Sequence, residues 1–378
     1  MSEITVNDFL RIREVNLMKI KEGKEKDLKV VGIYCTYCPQ ELVLAAGAAP
    51  VSLCGTKEEP IATAEEILPR NLCPLIKSSY GFAVSDTCPF FHFSDLIIGE
   101  TTCDGKKKMF EIMGEMKPVH VMQLPHSQHS QASVDLWVEE VRSLRFKLEE
   151  ELQVKISDED IWAAIDVVNR ETQAAKALCD LNKSDPPALN GLDLLTVNWS
   201  RGFAIDKTEL AGMLEALTTS LKTQTSENIA GQPRILLTGC PVGLGTEKVI
   251  RLVDELGGNV VCIENCTGYK TLGLQSSREY ADPIEALAHK YLQIPCSCMS
   301  PNPHRMELLE QMIDEFKVDA VIDLTWLACH TYNIESYEVA RLVRQRELPY
   351  LHLESDYSSS DLEALKVRIE ALLEMVTQ

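Results

Sequence analysis

Short apolar runs alternate with longer amphipathic stretches along most of the chain, and this alternation is typical of parallel α/β structure. Each run has the length of a buried strand, and the stretch after it has helical spacing. The predicted strands are residues 30–33, 49–53, 96–98 and 119–124 in the first half, and 235–237, 260–263, 320–322 and 350–353 in the second. Each half is therefore expected to contain a parallel sheet covered by helices.

A long helical region separates the two halves. Residues 134–152 and 158–181 have the spacing of amphipathic helices, and residues 182–191, with two successive prolines, break that pattern. The expected fold class is α/β, with two parallel-sheet domains of flavodoxin-like type, a helical middle region and a cleft between the domains. The expected boundaries are an N-terminal helical segment at 1–27, a first α/β domain at 28–133, the helical middle at 134–230 and a second α/β domain at 231–378.

The chain is strongly acidic, which narrows its partners. Its formal net charge of −20 would repel nucleic acid and anionic membranes. The compact basic run at 106–108 is expected to be a solvated helix face. No apolar run is long enough to cross a bilayer, and residues 1–30 lack the profile of an export signal. We therefore expect a cytoplasmic protein with reduced cysteines.

The thirteen cysteines are the most informative residues because of where they fall. Five of them come soon after predicted strands: Cys35, Cys103, Cys240, Cys266 and Cys329. The carboxyl ends of parallel strands form the edge at which α/β sheets bind ligands. Thiols collected at that edge indicate a soft metal or a redox site. Cys73, Cys296 and Cys298 lie in loops or helix starts from which the same edge is within reach.

The other cysteines have simpler explanations. Cys54, Cys179 and Cys262 lie in or beside predicted strands and helices, so we expect them to be small core residues. Cys35 and Cys38 have the C-x-x-C spacing of half a zinc site or of a redox dithiol, but no second pair completes a zinc ribbon. The histidines are scattered, so six or more thiolates meeting at one cleft favour iron–sulfur chemistry over zinc.

Six motifs around these cysteines resemble one known family. They are YCTYCPQE at 34–41, RNLCPLIKSSYG at 70–81, ETTCDGKKK at 100–108, TGCP at 238–241, ENCTG at 264–268 and ACHTY at 328–332. Together they look like the 2-hydroxyacyl-CoA dehydratase and benzoyl-CoA reductase superfamily, and the resemblance covers nearly the whole chain. Within that superfamily the chain is most similar to the double-cubane cluster protein branch.

The resemblance implies an iron–sulfur cofactor held by cysteines. Dehydratase subunits of the superfamily hold one 4Fe-4S cluster through three cysteines, which correspond to Cys73, Cys103 and Cys329. The double-cubane branch instead carries an 8Fe-9S cluster, in which two cubanes share a bridging sulfide and six cysteines are required. The additional ligands implied here are Cys35, Cys266 and Cys298, with Cys240 and Cys296 as substitutes.

The resemblance also implies an activity and its partners. Members of the branch reduce small substrates with electrons from a separate ATP-hydrolysing activator that has its own 4Fe-4S cluster. The Gly-rich loop at 238–248 lacks the G-K-[ST] ending of a P-loop, so ATP is expected on that partner. One chain would fill both subunit positions, which predicts a homodimer. The candidate proton donors beside the implied ligands are Glu41, Lys77, Glu264, His330 and Tyr332.

Two other functions remain open from the sequence. One is a lyase, a 2-hydroxyacyl-CoA dehydratase subunit with a single 4Fe-4S cluster, in which the transferred electron is recycled. The other is a non-catalytic electron-transfer or cluster-storage protein, which would have no cavity of substrate size. Iron content distinguishes the single-cluster lyase from the double-cubane reductase. Substrate-dependent ATP consumption distinguishes the non-catalytic protein from the reductase.

Overall fold

The computed structural model of the protein describes residues 4–222 and 229–377 and contains two four-stranded parallel sheets. The first sheet has the order β2-β1-β3-β4 and the second the order β6-β5-β7-β8, so both have the same topology. The strands are β1 (Val30–Ile33), β2 (Ala49–Ser52), β3 (Leu96–Glu100), β4 (Val119–Met122), β5 (Arg234–Gly239), β6 (Asn259–Glu264), β7 (Ala320–Trp326) and β8 (Tyr350–Ser355). The fold class is thus α/β, as the sequence predicts.

The central strands of both sheets are buried on both faces, as expected for strands covered by helices. Leu96, Ile97 and Ile98 of β3 are fully buried, and every residue of β5, β6 and β7 is buried. The helices around the first sheet are α1 (Val6–Lys24), α2 (Gln40–Ala45), α3 (Ile61–Ala64), α4 (Pro74–Val84), α5 (Pro89–Phe93) and α6 (Asp104–Met113). Those around the second are α11 (Lys248–Glu255), α12 (Pro283–Leu292), α13 (Pro303–Glu315), α14 (His330–Gln345) and α15 (Leu362–Thr377).

The helical middle region connects the two sheets through shared hydrophobic cores. It consists of α7 (Gln131–Leu152), α8 (Asp158–Cys179), α9 (Gly191–Ser200) and α10 (Lys207–Leu221). Side chains of α8, α9 and α10 belong to a hydrophobic cluster that also contains residues of both sheets. A second cluster joins α7, which contributes Trp137, to α2 and α12. Packed helices of the middle region therefore form one side of the cleft between the two sheets.

The elements agree closely with those predicted from the apolar pattern. All eight predicted strands are present, and those of the second half continue beyond the predicted runs, because polar residues such as Thr238, Glu264 and Thr325 continue the ladders. The predicted break at 182–191 is also present, since α9 begins at Gly191. Over residues 4–222 and 229–377, no helix has both the length and the apolar character needed to cross a bilayer.

Candidate functional site

The carboxyl-terminal ends of both sheets bring cysteines into two neighbouring groups. The first, called here the Cys329 group, consists of Cys73, Cys240 and Cys329. The second, called the Cys296 group, consists of Cys35, Cys266, Cys296 and Cys298. Each group contains residues of both α/β halves, so the thiols meet at the cleft between the halves.

The Cys329 group is built from two helix N-caps and one strand end. Cys73 is the N-cap of α4 and Cys329 is the N-cap of α14. Cys240 follows Gly239, whose φ of +108° and close approach to β7 leave no room for a side chain: a Cβ there would lie 2.1 Å from the Leu324 carbonyl oxygen. The Cys240 amide donates to that same oxygen at 2.7 Å, which fixes the thiol at the strand end.

One sulfur of the Cys329 group is stabilised as a thiolate. The Cys240 and Cys73 thiols beside it lower the pKa of Cys329 to about 3, with help from the backbone amide of Tyr332. The same interaction with Cys329, together with burial, raises the pKa of Cys73. Helix N-termini favour thiolates for the same electrostatic reason. This group therefore offers one thiolate, the form of cysteine that binds a soft metal.

The Cys296 group owes its charge to cations as well as to its own thiols. The neighbouring Cys298 thiol lowers the pKa of Cys296, and the charge of Lys270 acts in the same direction. The Cys296 sulfur is 4.0 Å from the Tyr332 hydroxyl oxygen. Burial raises the pKa values of Cys35 and Cys266, so Cys296 is the thiolate of this group.

A buried ion network lies behind the Cys296 group. Glu264, Lys270 and Arg305 have no exposed side-chain surface. Glu264 is 3.2 Å from both Lys270 and Arg305, and Lys270 donates to the Tyr332 hydroxyl at 2.5 Å. Burial alone would raise the pKa of Glu264, but the charges of Arg305 and Lys270 outweigh it and lower that pKa. Glu335, at the less buried end, pairs with Arg305.

A cavity of about 250 Å³ opens beside the Cys296 group. Cys35, Cys54 and Cys266 line part of it, and residues of α8, α9 and the 201–207 segment line another part. Lys106 also lines it and donates to the Tyr34 carbonyl at 3.2 Å. The expectation of a solvated lysine run is thus wrong for Lys106, because the start of α6 turns this side chain into the cleft.

Cys103, a ligand predicted from the sequence, is the N-cap of α6. The Cys103 sulfur accepts a hydrogen bond from the Lys106 amide at 3.4 Å, and Cys103 faces the Lys106 side chain. Among the described residues, the thiol beside Cys73 and Cys329 belongs to Cys240.

The sequence predicts that Cys54, Cys179 and Cys262 are each small core residues, and this prediction is wrong for Cys54. Its sulfur lies 2.9 Å from the Tyr34 carbonyl oxygen, at the cavity wall. Cys179 and Cys262 are buried in the hydrophobic core, as expected. Cys179 is the last residue of α8.

The five candidate proton donors are not all near the thiols. Tyr332 and Glu264 belong to the network behind Cys296. Glu41 is fully buried and accepts hydrogen bonds from Lys290 and Tyr291, both at 2.7 Å. Lys77 donates to Glu65 at 2.7 Å and to the Arg70 carbonyl at 3.0 Å, and His330 is exposed at the first turn of α14.

Sequence reasoning missed three charged residues of the site. Lys106, Lys270 and Arg305 lie on α6, in the loop after β6 and on α13, at unrelated spacings from the cysteines. Lys106 is three residues after Cys103 and Lys270 is four residues after Cys266, and this proximity in sequence was the local signal available. It also missed Glu100, whose buried carboxyl has no hydrogen-bond partner among the described residues and whose pKa burial raises to about 8.

The donor set fits a polynuclear iron–sulfur group better than a single ion. Across residues 4–222 and 229–377, no group of three or more His, Cys, Asp or Glu side chains is arranged to hold one metal ion. The two groups nevertheless supply soft sulfur donors from both halves, with a stabilised thiolate in each. Iron–sulfur clusters are held by such thiolates.

Comparison with known proteins places this chain in a family. Residues 35–376 match the family described as 2-hydroxyglutaryl-CoA dehydratase, D-component. The chain is 48% identical to the Escherichia coli K12 protein named "Putative dehydratase subunit YjiM", over 98% of this chain and 97% of that one.

More distant relatives carry related names. Identity is 22% to the (R)-phenyllactyl-CoA dehydratase beta subunit of Clostridium sporogenes, covering 97% of each chain. It is 20% to one of the benzoyl-CoA reductase subunits of Thauera aromatica, over 93% of this chain and 92% of that one. The chain therefore belongs to the 2-hydroxyglutaryl-CoA dehydratase D-component family, within the dehydratase and benzoyl-CoA reductase superfamily.

Proposed function

We propose that this protein is an iron–sulfur reductase that uses an 8Fe-9S double-cubane cluster to reduce a small substrate. The observation that supports this most is the presence of two cysteine groups, rather than one, at a single cleft. A lone 4Fe-4S cluster with three protein ligands would use only one of the groups. The second group would then be a set of buried thiols with a stabilised thiolate and no function.

Six cysteines are proposed as ligands. Cys73 and Cys329 hold one cubane, with either Cys103 or Cys240 as the third ligand. The position of Cys240 beside both favours Cys240. The other cubane is held by Cys35 and Cys266, with Cys298 or its neighbour Cys296 as the third ligand. Thiolates suit this role because they are soft donors. When bound, the cluster supplies low-potential electrons to the substrate.

Tyr332 and Lys270 are proposed to hold the proton that accompanies the electrons. The Tyr332 hydroxyl oxygen lies 4.0 Å from the Cys296 sulfur and accepts a hydrogen bond from Lys270. Glu264 pairs with Lys270 from behind and keeps it charged, since this carboxylate raises the pKa of Lys270 against the effect of burial, and Arg305 in turn holds Glu264 in place. Glu41, Lys77 and His330 remain sequence-based predictions of proton donors.

The electrons are proposed to come from a separate ATP-hydrolysing activator that carries a 4Fe-4S cluster. Relatives of this chain are named as subunits, which supports the existence of protein partners. We also propose a homodimer in the cytoplasm, with nucleic acids and membranes excluded as partners by the acidic surface. These assignments rest on the family resemblance and on the charge of the chain.

A second candidate function is favoured by the names of the relatives. YjiM and the phenyllactyl-CoA relative are named as dehydratase subunits, which points to a lyase with a single 4Fe-4S cluster. A third, the non-catalytic electron carrier, has less support, because a cavity of about 250 Å³ adjoins the cysteines.

The proposed function is tested by anaerobic reconstitution with the activator and ATP. Reduced product should accumulate with stoichiometric consumption of electrons, and ATP hydrolysis should rise when substrate is added. Cys179→Ala, which alters a core thiol, should behave as wild type and serves as the control. Elimination of water from a 2-hydroxyacyl thioester without net electron consumption would contradict the reductase and support the lyase. A rate of ATP hydrolysis that does not change when any substrate is added would support the non-catalytic electron carrier.

A further inference from the structure

The cavity beside the Cys296 group has walls of different chemistry. The first wall includes Cys35, Cys38, Cys54 and Cys266. The helical wall comes from α8, α9 and the segment that leads into α10, and it includes Glu171, Arg201 and Lys207. A molecule in the cavity would therefore contact both the proposed cluster ligands and the charged side chains of the middle region.

The helical wall carries one more positive charge than negative charge. Arg201 is paired with Glu171 through two contacts, at 2.5 and 3.2 Å. Lys290, which also lines the cavity, is paired with Glu41 at 2.7 Å. Lys207 is the exception, because no carboxylate in the described part of the chain lies within 4.0 Å of its ammonium group; it donates to the Arg201 carbonyl at 2.8 Å.

Lys207 is only 5% exposed, so water does not compensate for the missing carboxylate. A buried charge is costly unless it is paired, and an ammonium group has three donors, of which one is used here. Burial lowers the pKa of Lys207 to about 8, which still leaves the group mostly charged at neutral pH. Lys106 differs, because it faces the thiols of Cys35 and Cys54.

The size of the cavity limits the anion that could complete this pairing. Ligand pockets for drug-sized molecules have volumes of roughly 300–1,000 Å³, so a space of about 250 Å³ accepts only a smaller molecule. A coenzyme A moiety would have to lie outside it. The negative charge that meets Lys207 would therefore belong to the reacting molecule itself.

We propose that the cavity binds a small free carboxylic acid, with its carboxylate on the Lys207 ammonium group and its other end toward Cys35 and Cys266. This inference deepens the proposed function, on which it rests, by naming a substrate class. The acidic surface of the protein repels anions in general. Inside the cavity, however, the cationic group favours an anion over a neutral molecule.

Acetate and acetamide test the proposal, because they are nearly identical in size and differ in charge. Each is titrated calorimetrically into the anaerobic, iron-loaded protein at pH 6.5 and constant ionic strength. Acetate should bind saturably, and acetamide should bind at least about tenfold more weakly. Lys207→Met should weaken acetate by a similar factor, whereas Lys207→Arg should retain much of the affinity. Lys107→Met, an exposed neighbour of Lys106 on α6, is the control and should bind as wild type.

The proposal is overturned by equal binding of the two probes, by the absence of saturable acetate binding, or by unchanged affinity in Lys207→Met. Thermal unfolding of each variant shows whether it is folded. If Lys207→Met does not fold, the acetate and acetamide comparison on the wild-type protein decides alone. Iron and sulfide are measured on the same sample. A normal cluster content without acetate binding therefore rejects the anion site and leaves the reductase proposal standing.

Discussion

The two cysteine groups reach a thiolate state by different physical means. In the Cys329 group the stabilisation comes mainly from neighbouring thiols and backbone amides, and the largest contributions from the described residues include no cation. In the Cys296 group it comes from Lys270 as well as from Cys298, and Lys106 faces Cys35 from the cavity. Positive charge beside a cluster favours its reduced state. When a cluster is bound, the charge of Lys270 would favour its reduced state at the Cys296 end, next to the cavity.

The largest expected effect comes from removing one thiol of each group. Cys329→Ser and Cys266→Ser replace a soft thiolate by a hard, mostly protonated hydroxyl, so each variant should lose about half of the iron or more. Iron per chain and visible absorbance measure the loss. If the two groups hold different cubanes, the residual spectra of the two variants should differ. Full iron content and activity in both variants would show that neither group binds a cluster.

A matched pair of variants tests whether Cys240 or Cys103 is the third ligand beside Cys73 and Cys329. Cys240→Ser should lose iron as Cys329→Ser does, because Cys240 lies beside Cys73 and Cys329. Cys103→Ser should keep most of its iron, because its sulfur faces Lys106 instead. Iron analysis of both proteins after anaerobic purification distinguishes them. The reverse outcome would return the third ligand to Cys103 and make Cys240 a spare thiol.

A smaller effect is expected from pH on the cavity side of the comparison. Burial lowers the pKa of Lys207 to about 8, so its charge is present below that pH and is lost above it. Acetate affinity should therefore be level below about pH 7 and fall roughly tenfold per unit well above pH 8. The other charges that face Lys207 are Glu171, Arg201 and Glu41. Burial alone would raise the pKa of Glu171, but the charges of Arg201, Lys207 and Lys290 together outweigh it and lower that pKa.

The pH profile has an internal control. Lys207→Met should bind acetate weakly at every pH, so its affinity should not fall through this range. A wild-type affinity that stays constant up to pH 9.5 would contradict the role of the Lys207 charge. A fall centred near pH 6 would assign the effect to another group.

The smallest effect is expected at a thiol outside both groups. Cys179 packs at the end of α8, and its sulfur is 3.4 Å from the Asn198 side-chain nitrogen. Cys179→Ala should cost about 1–2 kcal/mol in the free energy of unfolding, since it removes one small buried side chain. Iron content should stay unchanged. Loss of iron in this variant would mean that position at a strand end does not identify the ligands.

Much of the fold was readable from the sequence because it depends on local pattern. Buried parallel strands are continuous apolar runs, and all eight were found on that basis. The register at which β5 meets β7 also explains why Gly239 precedes Cys240. Strand ends were less predictable, because polar residues such as Glu264 continue a strand when a buried partner is available.

The site was less predictable because its charges come from distant segments. The positions of Cys35, Cys240, Cys266 and Cys329 at strand ends follow from the apolar pattern. Which thiols become neighbours depends on how the two sheets face each other, so the place of Cys240 in the first group did not follow. The same holds for Lys207, since only the packing of the helical middle region against the cleft makes it a cavity residue.

The central claim is that the two cysteine groups together hold a double-cubane cluster, and iron and sulfide analysis tests it most directly. The protein is purified without oxygen, and iron, acid-labile sulfide and protein are measured on one sample. The account predicts about eight irons and about nine sulfides per chain. A result near four irons and four sulfides would contradict it, and would leave one of the two groups without a cluster.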